Sequence, residues 1–402
     1  MGERLWSLTA AEDDAMIRVD ERWGELLAAV DEGAADRDMA GEPVPERFFA
    51  EAGATGLLAL PLPRETGGAG LDPVAWVLTL ERIGYLCRDS GFALILGIRT
   101  VIAQMLLESG RQDVIERYVV PITRGTLGIA LAYSEDADAF TLRTVLRRRG
   151  DGFVLSGHKD FLTGGYHAQV FLVYARNEAD DMVACLVHRD DPGVVVTRLS
   201  PVGIRTSGPT ALDLREVPVA RDRIVVSVDG LSHAQQLLNS RRLTVCGAPI
   251  GRARALVELS VARLNSTIRH GQPLSQLPNV QGSLGRMYIA VETARAMLYR
   301  AARRVADGEA DRLFDPVVSA AKHVVVNRVR FVLEEALQVL GGYFYYGDPY
   351  FGTCLRDFAG LVAFAGTQDL LEVNLGTMAT THLAPLRDDR KFSTTSRRGG
   401  HT

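Results

Sequence analysis

A short acidic segment is the first place in this chain where side chains could transfer protons. Glu135, Asp136 and Asp138 lie close together, and a carboxylate beside a reacting carbon can act as a general base. His270 is a second candidate, because histidine titrates near neutral pH. Three acids in one loop are usually solvated, however, and a single histidine is more often exposed than catalytic. These residue types would permit proton transfer at the acidic segment or at His270, and the sequence does not favour one over the other.

Three other patterns have residue types suited to holding a ligand, but each has an ordinary structural explanation. Phe161 and Thr163 alone would be residues of a β-hairpin. Gly341 and Gly342 alone would be a helix C-cap, because glycine adopts the left-handed conformation that ends many helices. Gln338 alone would be a surface side chain. Only the order of these patterns along the chain gives them further meaning.

The elements that must position these residues change twice along the chain. Apolar residues recur at helical spacing in 1–128, whereas short β-branched runs between turn signals fill 129–230. Helical spacing returns in 231–402, whose tail is predicted to be disordered from about 392. The sequence therefore predicts an α+β fold, with an N-terminal helical domain, a central antiparallel β-barrel or sheet, and a C-terminal four-helix bundle. The four helices are expected over Leu237–Leu264, Leu284–Ala306, Pro316–Leu340 and Phe358–Leu383.

Composition and charge exclude several classes of protein. The formal net charge is −4, with 45 basic residues scattered among 49 acidic ones, so neither nucleic acid nor an anionic membrane is an expected partner. The four cysteines form no CxxC pair, so neither a disulfide scaffold nor a metal is expected. No signal-like segment and no apolar run approaching ~18 residues was found, which predicts a cytoplasmic protein that does not span a membrane.

The domain order and five local motifs resemble the acyl-CoA dehydrogenase superfamily from about residue 47 to 383. One such motif would carry little weight, whereas five in the family's order are specific. They are Gly53-Ala54-Thr55-Gly56 with Gly67-Gly68-Ala69-Gly70, Gly157-His158-Lys159-Asp160-Phe161-Leu162-Thr163, Gly203-Ile204-Arg205-Thr206-Ser207, Gln338-Val339-Leu340-Gly341-Gly342, and Arg356-Asp357 with Ala365-Gly366-Thr367.

The resemblance implies an FAD-dependent oxidoreductase of acyl-CoA dehydrogenase type. An isoalloxazine ring needs an apolar wall and a few hydroxyl or backbone donors, and Phe161, Thr163 and the turn at Thr367 have those residue types. By the family's pattern, the cofactor-binding positions are Tyr133, Ser134, Phe161, Thr163, Arg269, Gln281, Gln338, Gly341, Gly342, Thr367 and Asp369.

The resemblance also implies a homodimer or a homotetramer. In the family, the adenosine end of FAD lies across a subunit boundary, against the equivalents of Gln338, Gly341 and Gly342 of a neighbouring subunit. The aromatic run 343–346 follows these glycines directly. We interpret it either as a packed subunit contact or as part of a reshaped pocket.

The sequence departs from the family where the chemistry would need a base. In the family, a glutamate removes the α-proton of an acyl thioester, and the matching position here is Ala365. Some members instead have the base on the first bundle helix, directly before an arginine. That arginine matches Arg242, so the alternative base position is Arg241. The resemblance implies that neither known base is present.

Further departures lie near the expected cofactor phosphates and on the substrate side. Thr267 and His270 replace an arginine and a phenylalanine that the family has near the FAD phosphates, and Arg269 could supply a displaced charge. The segment 133–139 replaces a glycine-rich loop of the family. Thr377 stands where an arginine often contacts coenzyme A. An acyl group on an acyl carrier protein, or a substrate without a thioester, is therefore as well supported as acyl-CoA.

Three functions remain open on this evidence. The first is a flavoenzyme acting on an unusual carrier- or CoA-bound acyl substrate in a specialised biosynthetic pathway, served by an electron-transfer partner. Its base would be relocated to Glu135, Asp136 or Asp138, or its chemistry would need none. The second is a monooxygenase of the same fold that uses O2 and FAD reduced by a flavin reductase. The third is a catalytically silent partner subunit.

Overall fold

The computed structural model describes residues 5–6, 8–136, 141–269 and 271–383. Asp138, His270 and the tail that was predicted to be disordered from about 392 lie outside the described residues.

The first part of the chain is helical, as predicted. Asp72 caps the fourth helix by accepting hydrogen bonds from the amides of Val74 and Ala75, which leaves Pro73 at the first helical position, where it needs no donor. A π-helical turn at 115–119 separates the last two helices. The helices are α1 (Ala10–Asp31), α2 (Ala34–Ala40), α3 (Glu46–Ala54), α4 (Pro73–Leu86), α5 (Ser90–Leu107), α6 (Gln112–Val114) and α7 (Val120–Thr123).

Helix α5 is long and apolar enough to cross a membrane by length and composition, as core helices of other proteins also are. It lies in the core of the fold, where 78% of it is buried. Arg99, within this helix, is buried and ion-paired with Glu46. A helix buried on nearly all sides is uniformly apolar for the same reason that a membrane span is.

A mixed sheet follows the N-terminal helices. Its strand order is β6-β7-β3-β2-β4-β5-β8, and β1 pairs in parallel with β4. The predicted sheet is therefore present, but it is not purely antiparallel. The strands are β1 (Ile129–Ala132), β2 (Val145–Arg149), β3 (Gly152–Leu162), β4 (Val170–Arg176), β5 (Met182–His188), β6 (Val194–Arg198), β7 (Thr210–Val219) and β8 (Ile224–Val226).

Strand β4 explains why the middle of the sheet has no polar alternation. Val170, Leu172 and Tyr174 pack in the core that includes α5, whereas Phe171 and Val173 pack among residues of the other strands. Both faces of the strand are therefore buried, which selects a continuous apolar run.

The C-terminal part is a bundle of helices with a small hairpin between the first two. The long helices pack around one apolar core. In chain order the elements are α8 (Gly230–Ser266), β9 (Ile268–Arg269), β10 (Gln272–Pro273), α9 (Pro278–Ala306), α10 (Pro316–Leu340), α11 (Gly342–Tyr346), α12 (Pro349–Gly360) and α13 (Gln368–His382).

The predicted single helix Phe358–Leu383 is wrong, because the chain breaks between α12 and α13. Residues 361–367 form a turn in which Ala365 and Gly366 have positive φ values of 54° and 99°. A non-glycine residue in this conformation is uncommon and is found most often at functional sites. The turn ends at Thr367, whose hydroxyl accepts a hydrogen bond from the Leu370 amide and so caps α13.

The motif Arg356-Asp357 joins the bundle to the rest of the molecule. The Asp357 carboxylate forms an ion pair with Arg252 and accepts a hydrogen bond of 2.6 Å from the Ile204 amide. Arg356 forms an ion pair with Asp38 on α2. These contacts hold the turn 361–367 close to the loop that precedes β7.

Candidate active site

A cavity of about 1200 Å³ lies between the sheet and the C-terminal helices. Its β wall is lined by Leu131, Tyr133, Ser134, Glu135, Leu142, Phe161 and Thr163, and its helical wall by Leu231, Gln235, Leu238, Arg241, Arg242, Asp311, Leu313, Phe314, Ala363, Phe364, Ala365, Gly366, Thr367, Leu370, Asn374, Thr377 and Met378. Residues of the loop before β7 complete the lining. We call these two sets the β wall and the helical wall.

The β wall presents an aromatic ring and hydroxyl groups. Phe161 has a positive φ of 61° and is 72% exposed, although it belongs to a buried sheet. The backbone conformation thus places a large apolar ring in the cavity at a cost in strain. Thr163, two residues later, is buried, and its hydroxyl makes no hydrogen bond within the described ranges. Ser134 adds a second hydroxyl to this wall.

Glu135 is the acid of the β wall, and it is neutralised by its neighbours. Its carboxylate lies 2.9 Å from the Lys159 ammonium, and the side chain is only 4% exposed. It also accepts a hydrogen bond of 2.5 Å from the Thr144 hydroxyl. Burial alone would raise the pKa of Glu135, but the hydrogen bonds from Thr144 and Lys159 outweigh burial and lower it. The carboxylate is therefore a structural anion.

The helical wall is held in place by Arg242. Its Nε donates to the Ala365 carbonyl at 3.2 Å, and its Nη1 donates to Asn239 Oδ1 at 2.7 Å. The guanidinium also lies over the Phe314 ring, 5.1 Å from the centroid. Burial lowers the pKa of Arg242 to about 10, so the side chain remains a cation at neutral pH. Arg242 thus fixes the turn from inside the cavity.

Lys322 holds the same turn from its other side. This fully buried lysine on α10 donates to the Gly366 carbonyl at 2.6 Å, the Val362 carbonyl at 3.3 Å and Gln368 Oε1 at 3.2 Å. These are neutral acceptors, and burial lowers the pKa of Lys322 to about 8. Two buried cations therefore bracket the left-handed conformation at 365 and 366.

Arg241 differs from both of these cations. It lines the cavity and is half-buried, and it takes part in none of the side-chain hydrogen bonds or ion pairs found among the described residues. Burial lowers the pKa of Arg241 to about 10, which leaves it charged at neutral pH.

The structure brings together ten of the residues singled out from the sequence. They all line the cavity: Tyr133, Ser134, Glu135, Phe161, Thr163, Arg241, Arg242, Ala365, Thr367 and Thr377. Six others are exposed and lie outside the cavity of the single chain: Arg269, Gln281, Gln338, Gly341, Gly342 and Asp369. Of the three acids, Glu135 lines the cavity, Asp136 lies outside it and ion-pairs weakly with Arg143, and Asp138 is not described.

Sequence reasoning missed several residues of the helical wall. Asn239 orients Arg242 and donates to the Asp311 carbonyl at 3.0 Å. The Asp311 carboxylate lines the cavity, and its Oδ1 accepts from the Leu313 amide. Lys322 is hidden in an apolar helix. The loop before α10 also lines the cavity, and nothing in its sequence predicted this.

Comparison with known families identifies the class of protein. The N-terminal, middle and C-terminal domain models of acyl-CoA dehydrogenases match residues 25–126, 130–217 and 228–379. The chain therefore belongs to the acyl-CoA dehydrogenase superfamily, and it is an FAD-dependent oxidoreductase.

Individual relatives are similar over most of their length. Mouse mitochondrial short-chain specific acyl-CoA dehydrogenase is 27% identical over 327 residues, which are 79% of this chain and 78% of that protein. The prolyl acyl carrier protein oxidase AnaB has a TM-score of 0.86 at 21% identity, covering 92% of this chain and 99% of the other. PigA, solved with FAD and proline, has a TM-score of 0.85 at 20% identity, covering 93% and 99%. The structural likenesses show the fold.

The residues of the β wall fit the isoalloxazine part of FAD. Such a ring requires a flat apolar surface and neutral donors, and the wall has the Phe161 ring and the hydroxyls of Thr163 and Ser134. Its acid, Glu135, is already neutralised by Lys159, so no unpaired charge opposes a bound flavin. The cavity is also large enough for a ring system together with a substrate.

Proposed function

We propose that this enzyme oxidises an acyl group carried as a thioester on a carrier protein, and that no carboxylate of the turn 361–367 takes part. The observation that carries the proposal is the helical wall. At Ala365 the wall has a methyl group, and at Arg241 it has a cation. A cation cannot accept the proton that a general base removes.

The β wall would hold the cofactor, and the helical wall would hold the acyl group. Phe161 would pack against the flavin ring, and Thr163 and Ser134 would donate hydrogen bonds to it. FAD, when bound, would accept the hydride of the oxidation, and the proton released from the acyl group would pass to water in the open cavity. Arg242 and Lys322 keep the turn rigid on the opposite side. A fixed turn positions a substrate, which contributes to rate by orientation rather than by proton transfer.

The carriers differ in charge, and the helical wall favours the carrier protein. Coenzyme A has phosphates that a protein usually binds with arginine or lysine. The α13 residues that line the cavity, Leu370, Asn374, Thr377 and Met378, are uncharged. AnaB, which has the same fold, is named as an oxidase of a prolyl acyl carrier protein. Both observations support a carrier-bound thioester.

Neither of the described acids of segment 133–139 supports a relocated base. Glu135 is held ionised by Lys159 and Thr144, with its pKa lowered, and a good base at neutral pH needs a raised one. Asp136 does not line the cavity. Asp311 is therefore the carboxylate to test, because it lines the cavity and forms no ion pair within the described ranges.

Anaerobic mixing of the FAD-loaded protein with matched thioesters tests the proposal. Prolyl, butyryl and succinyl groups would each be presented on holo carrier protein, on CoA and on pantetheine, and the flavin absorbance would be followed. We expect the carrier-bound form of one acyl group to bleach the flavin at least about tenfold faster than its CoA form, or ~1.4 kcal/mol in the barrier. Equal or faster reduction by the CoA form would contradict the proposal.

Oxygenation is the second candidate, and one observation favours it. An oxygenation needs space beside the flavin and does not need a base for the α-proton. The small side chain of Ala365 leaves such space in the cavity, and it cannot act as a base. The test supplies NADH, a flavin reductase and isotopically labelled O2 to the same FAD-loaded protein. Label in the product would establish oxygenation, whereas turnover without label would exclude it.

We also propose that a second copy of the chain completes the cofactor site. Gln338, Gly341 and Gly342 are exposed on the single chain, and the neighbouring Tyr345 and Tyr346 are 74% and 85% exposed. Large exposed aromatic side chains beside a ligand-binding position are typical of a subunit contact. Light scattering of the FAD-loaded protein should give a dimer or tetramer mass, and a monomer that retains FAD would contradict this proposal.

A further inference from the structure

We infer that Arg241 binds a carboxylate of the substrate, so that the acyl group oxidised by this enzyme is anionic. The inference rests on the proposed function, because it names the class of acyl group that the helical wall accepts. By the resemblance, position 241 is where some family members have a carboxylate base. This chain has a cation there instead.

The first support is the isolation of the Arg241 guanidinium. It lines the cavity, and no carboxylate in the described part of the chain lies within ion-pair distance of it. A half-buried arginine normally finds an acid, because desolvating an unpaired guanidinium is costly. A ligand that brings the missing anion would recover this cost, which makes the cation a specific binding group.

The second support is that the two nearest cations, Arg242 on the helical wall and Lys322 behind the turn, are already engaged. Arg242 donates to Ala365 and Asn239, and Lys322 donates to the carbonyls of the turn. Both therefore support the backbone, although neither is neutralised by a carboxylate. Their charges add to the positive potential around Arg241 and strengthen its attraction for an anion.

The acids of the cavity do not cancel this charge. Glu135 on the β wall is paired with Lys159. Asp311 is exposed at the cavity lining, with one carboxylate oxygen bonded to the Leu313 amide, and it forms no ion pair with Arg241. Among its described residues the helical wall therefore has two cations, Arg241 and Arg242, against one carboxylate, Asp311, and is net positive.

A carboxylate fits this site better than the other anions that an acyl-thioester enzyme meets. A single planar guanidinium matches the two oxygens of a carboxylate, whereas a phosphate is usually held by more than one donor group. The FAD phosphates are not expected here, because Thr267 and Arg269, the positions nearest them by the family pattern, lie outside the cavity. The remaining source is the acyl group itself, as a dicarboxylic acyl thioester.

Binding of matched pantetheine thioesters to the FAD-loaded protein tests the inference. Succinyl-pantetheine and butyryl-pantetheine differ by one terminal carboxylate, and the pantetheine arm is common to CoA and carrier proteins. Binding would be measured as a change in the visible spectrum of the flavin. We expect the succinyl compound to bind about ten- to a hundredfold more tightly, as a hydrogen-bonded charge pair provides. Arg241→Met should abolish the difference, and Arg241→Lys should keep part of it.

Gln236→Leu is the matched control, because Gln236 lies on the same helix, hydrogen-bonds Glu108 and does not line the cavity. It should leave the preference for the succinyl compound unchanged. Circular dichroism and FAD content establish that each variant is folded and loaded. Loss of FAD from Arg241→Met alone would overturn the inference, since Arg241 would then serve the cofactor.

A second probe separates this inference from the proposed function. Free glutarate and neutral glutaramide need neither a thioester nor a carrier. If both thioesters bind equally and Arg241→Met changes neither, the inference fails and the proposed function stands. If no thioester binds but glutarate does, and only with Arg241 present, the inference stands and the thioester proposal fails. If no compound binds at any soluble concentration, both fail.

Discussion

The two walls of the cavity balance their charges in opposite ways. On the β wall, Glu135 is paired with the buried Lys159, so the surface offered to a flavin is aromatic and neutral. On the helical wall, Arg242 contacts carbonyl and amide oxygens, as Lys322 does behind the turn, and the Arg241 side chain has no hydrogen-bond or ion-pair partner in the described chain. The charges of the β wall are paired without a ligand, whereas the helical wall has an unpaired cation, Arg241.

This difference agrees with the proposed roles of the two walls, in which the β wall holds the cofactor and the helical wall holds the substrate. A flavin ring is the same in every member, so a neutral wall with Phe161 and Thr163 needs no adjustment. The substrate differs between members, and the helical wall has Ala365 and Arg241 at the two expected base positions. The unpaired charge therefore lies on the wall that we propose meets the substrate.

The largest expected effect concerns the ion pair behind the β wall. Glu135→Gln leaves the Lys159 ammonium, which is 0% exposed, without its anion, and breaking a buried pair costs about 3–5 kcal/mol. Urea unfolding should show this loss, and the double variant Glu135→Gln with Lys159→Met should recover most of it. A fully stable Glu135→Gln variant that has lost activity would instead make Glu135 catalytic and erase the contrast between the walls.

The next prediction distinguishes FAD binding at the β wall from substrate binding at the helical wall. Phe161→Ala should weaken FAD binding by about ten- to a hundredfold, because a packed aromatic ring contributes roughly 1.5–3 kcal/mol. Fluorescence of released FAD measures this, and the preference for succinyl- over butyryl-pantetheine should remain once FAD is saturating. Tyr166→Ala is the control, because Tyr166 is an exposed aromatic residue of the same domain outside the cavity. Equal losses of FAD in both variants would remove Phe161 from the cofactor site.

The turn should respond to pH through Lys322. Burial lowers its pKa from 10.5 to about 8, so between these values the unfolded chain holds a proton that the folded chain has released. The free energy of unfolding should therefore rise with pH across this window by roughly 3 kcal/mol, relative to Lys322→Met. Urea unfolding at several pH values measures the slope. Parallel pH profiles for the two proteins would show that Lys322 does not titrate in this window.

Over the same pH range, the contacts of the turn should weaken. An ammonium donates three hydrogen bonds and a neutral amine two, whereas Lys322 contacts three acceptors. Affinity for succinyl-pantetheine should fall a few-fold above about pH 8 in the wild type, and the fall should be absent in Lys322→Met. The same fall in both proteins would assign it to another group.

The smallest expected effect is at Asp311. Its carboxylate is exposed and partly occupied by the Leu313 amide, so Asp311→Asn should change the rate of flavin reduction by less than about threefold, within ~0.7 kcal/mol. Asp136→Asn, an exposed acid outside the cavity, is the matched control. A loss of more than a hundredfold at Asp311 alone would place a base on the helical wall.

Much of the fold and of the β wall was predictable, because local patterns determine them. The change from helical spacing to short β-branched runs near residue 129, and back near 230, matches the start of β1 and of α8. The motif containing Phe161 and Thr163 places both residues on one strand and the turn after it. Their roles toward FAD remain predictions, although the cavity brings them together.

The helical wall was less predictable, because tertiary contacts override local propensity there. The apolar spacing of a helix continues through residues 361–364, and alanine is a good helix former. The local sequence therefore does not predict the turn at Ala365. A lysine in a helix is normally expected to be exposed, but Lys322 is fully buried. Its contacts, and those of Arg242, join residues far apart in the chain.

Exchange of the substrate's α-proton with deuterated water tests most directly whether the helical wall holds a cation in place of a base. The FAD-loaded protein would be incubated with succinyl-pantetheine in D2O, and mass spectrometry would measure deuterium at the α-carbon. We predict no exchange above the rate in buffer for the wild type. Exchange should rise by about a hundredfold or more in Ala365→Glu, because a positioned carboxylate can act as a general base. Wild-type exchange that Asp311→Asn abolishes would contradict this prediction, because a carboxylate base would then be present on the wall.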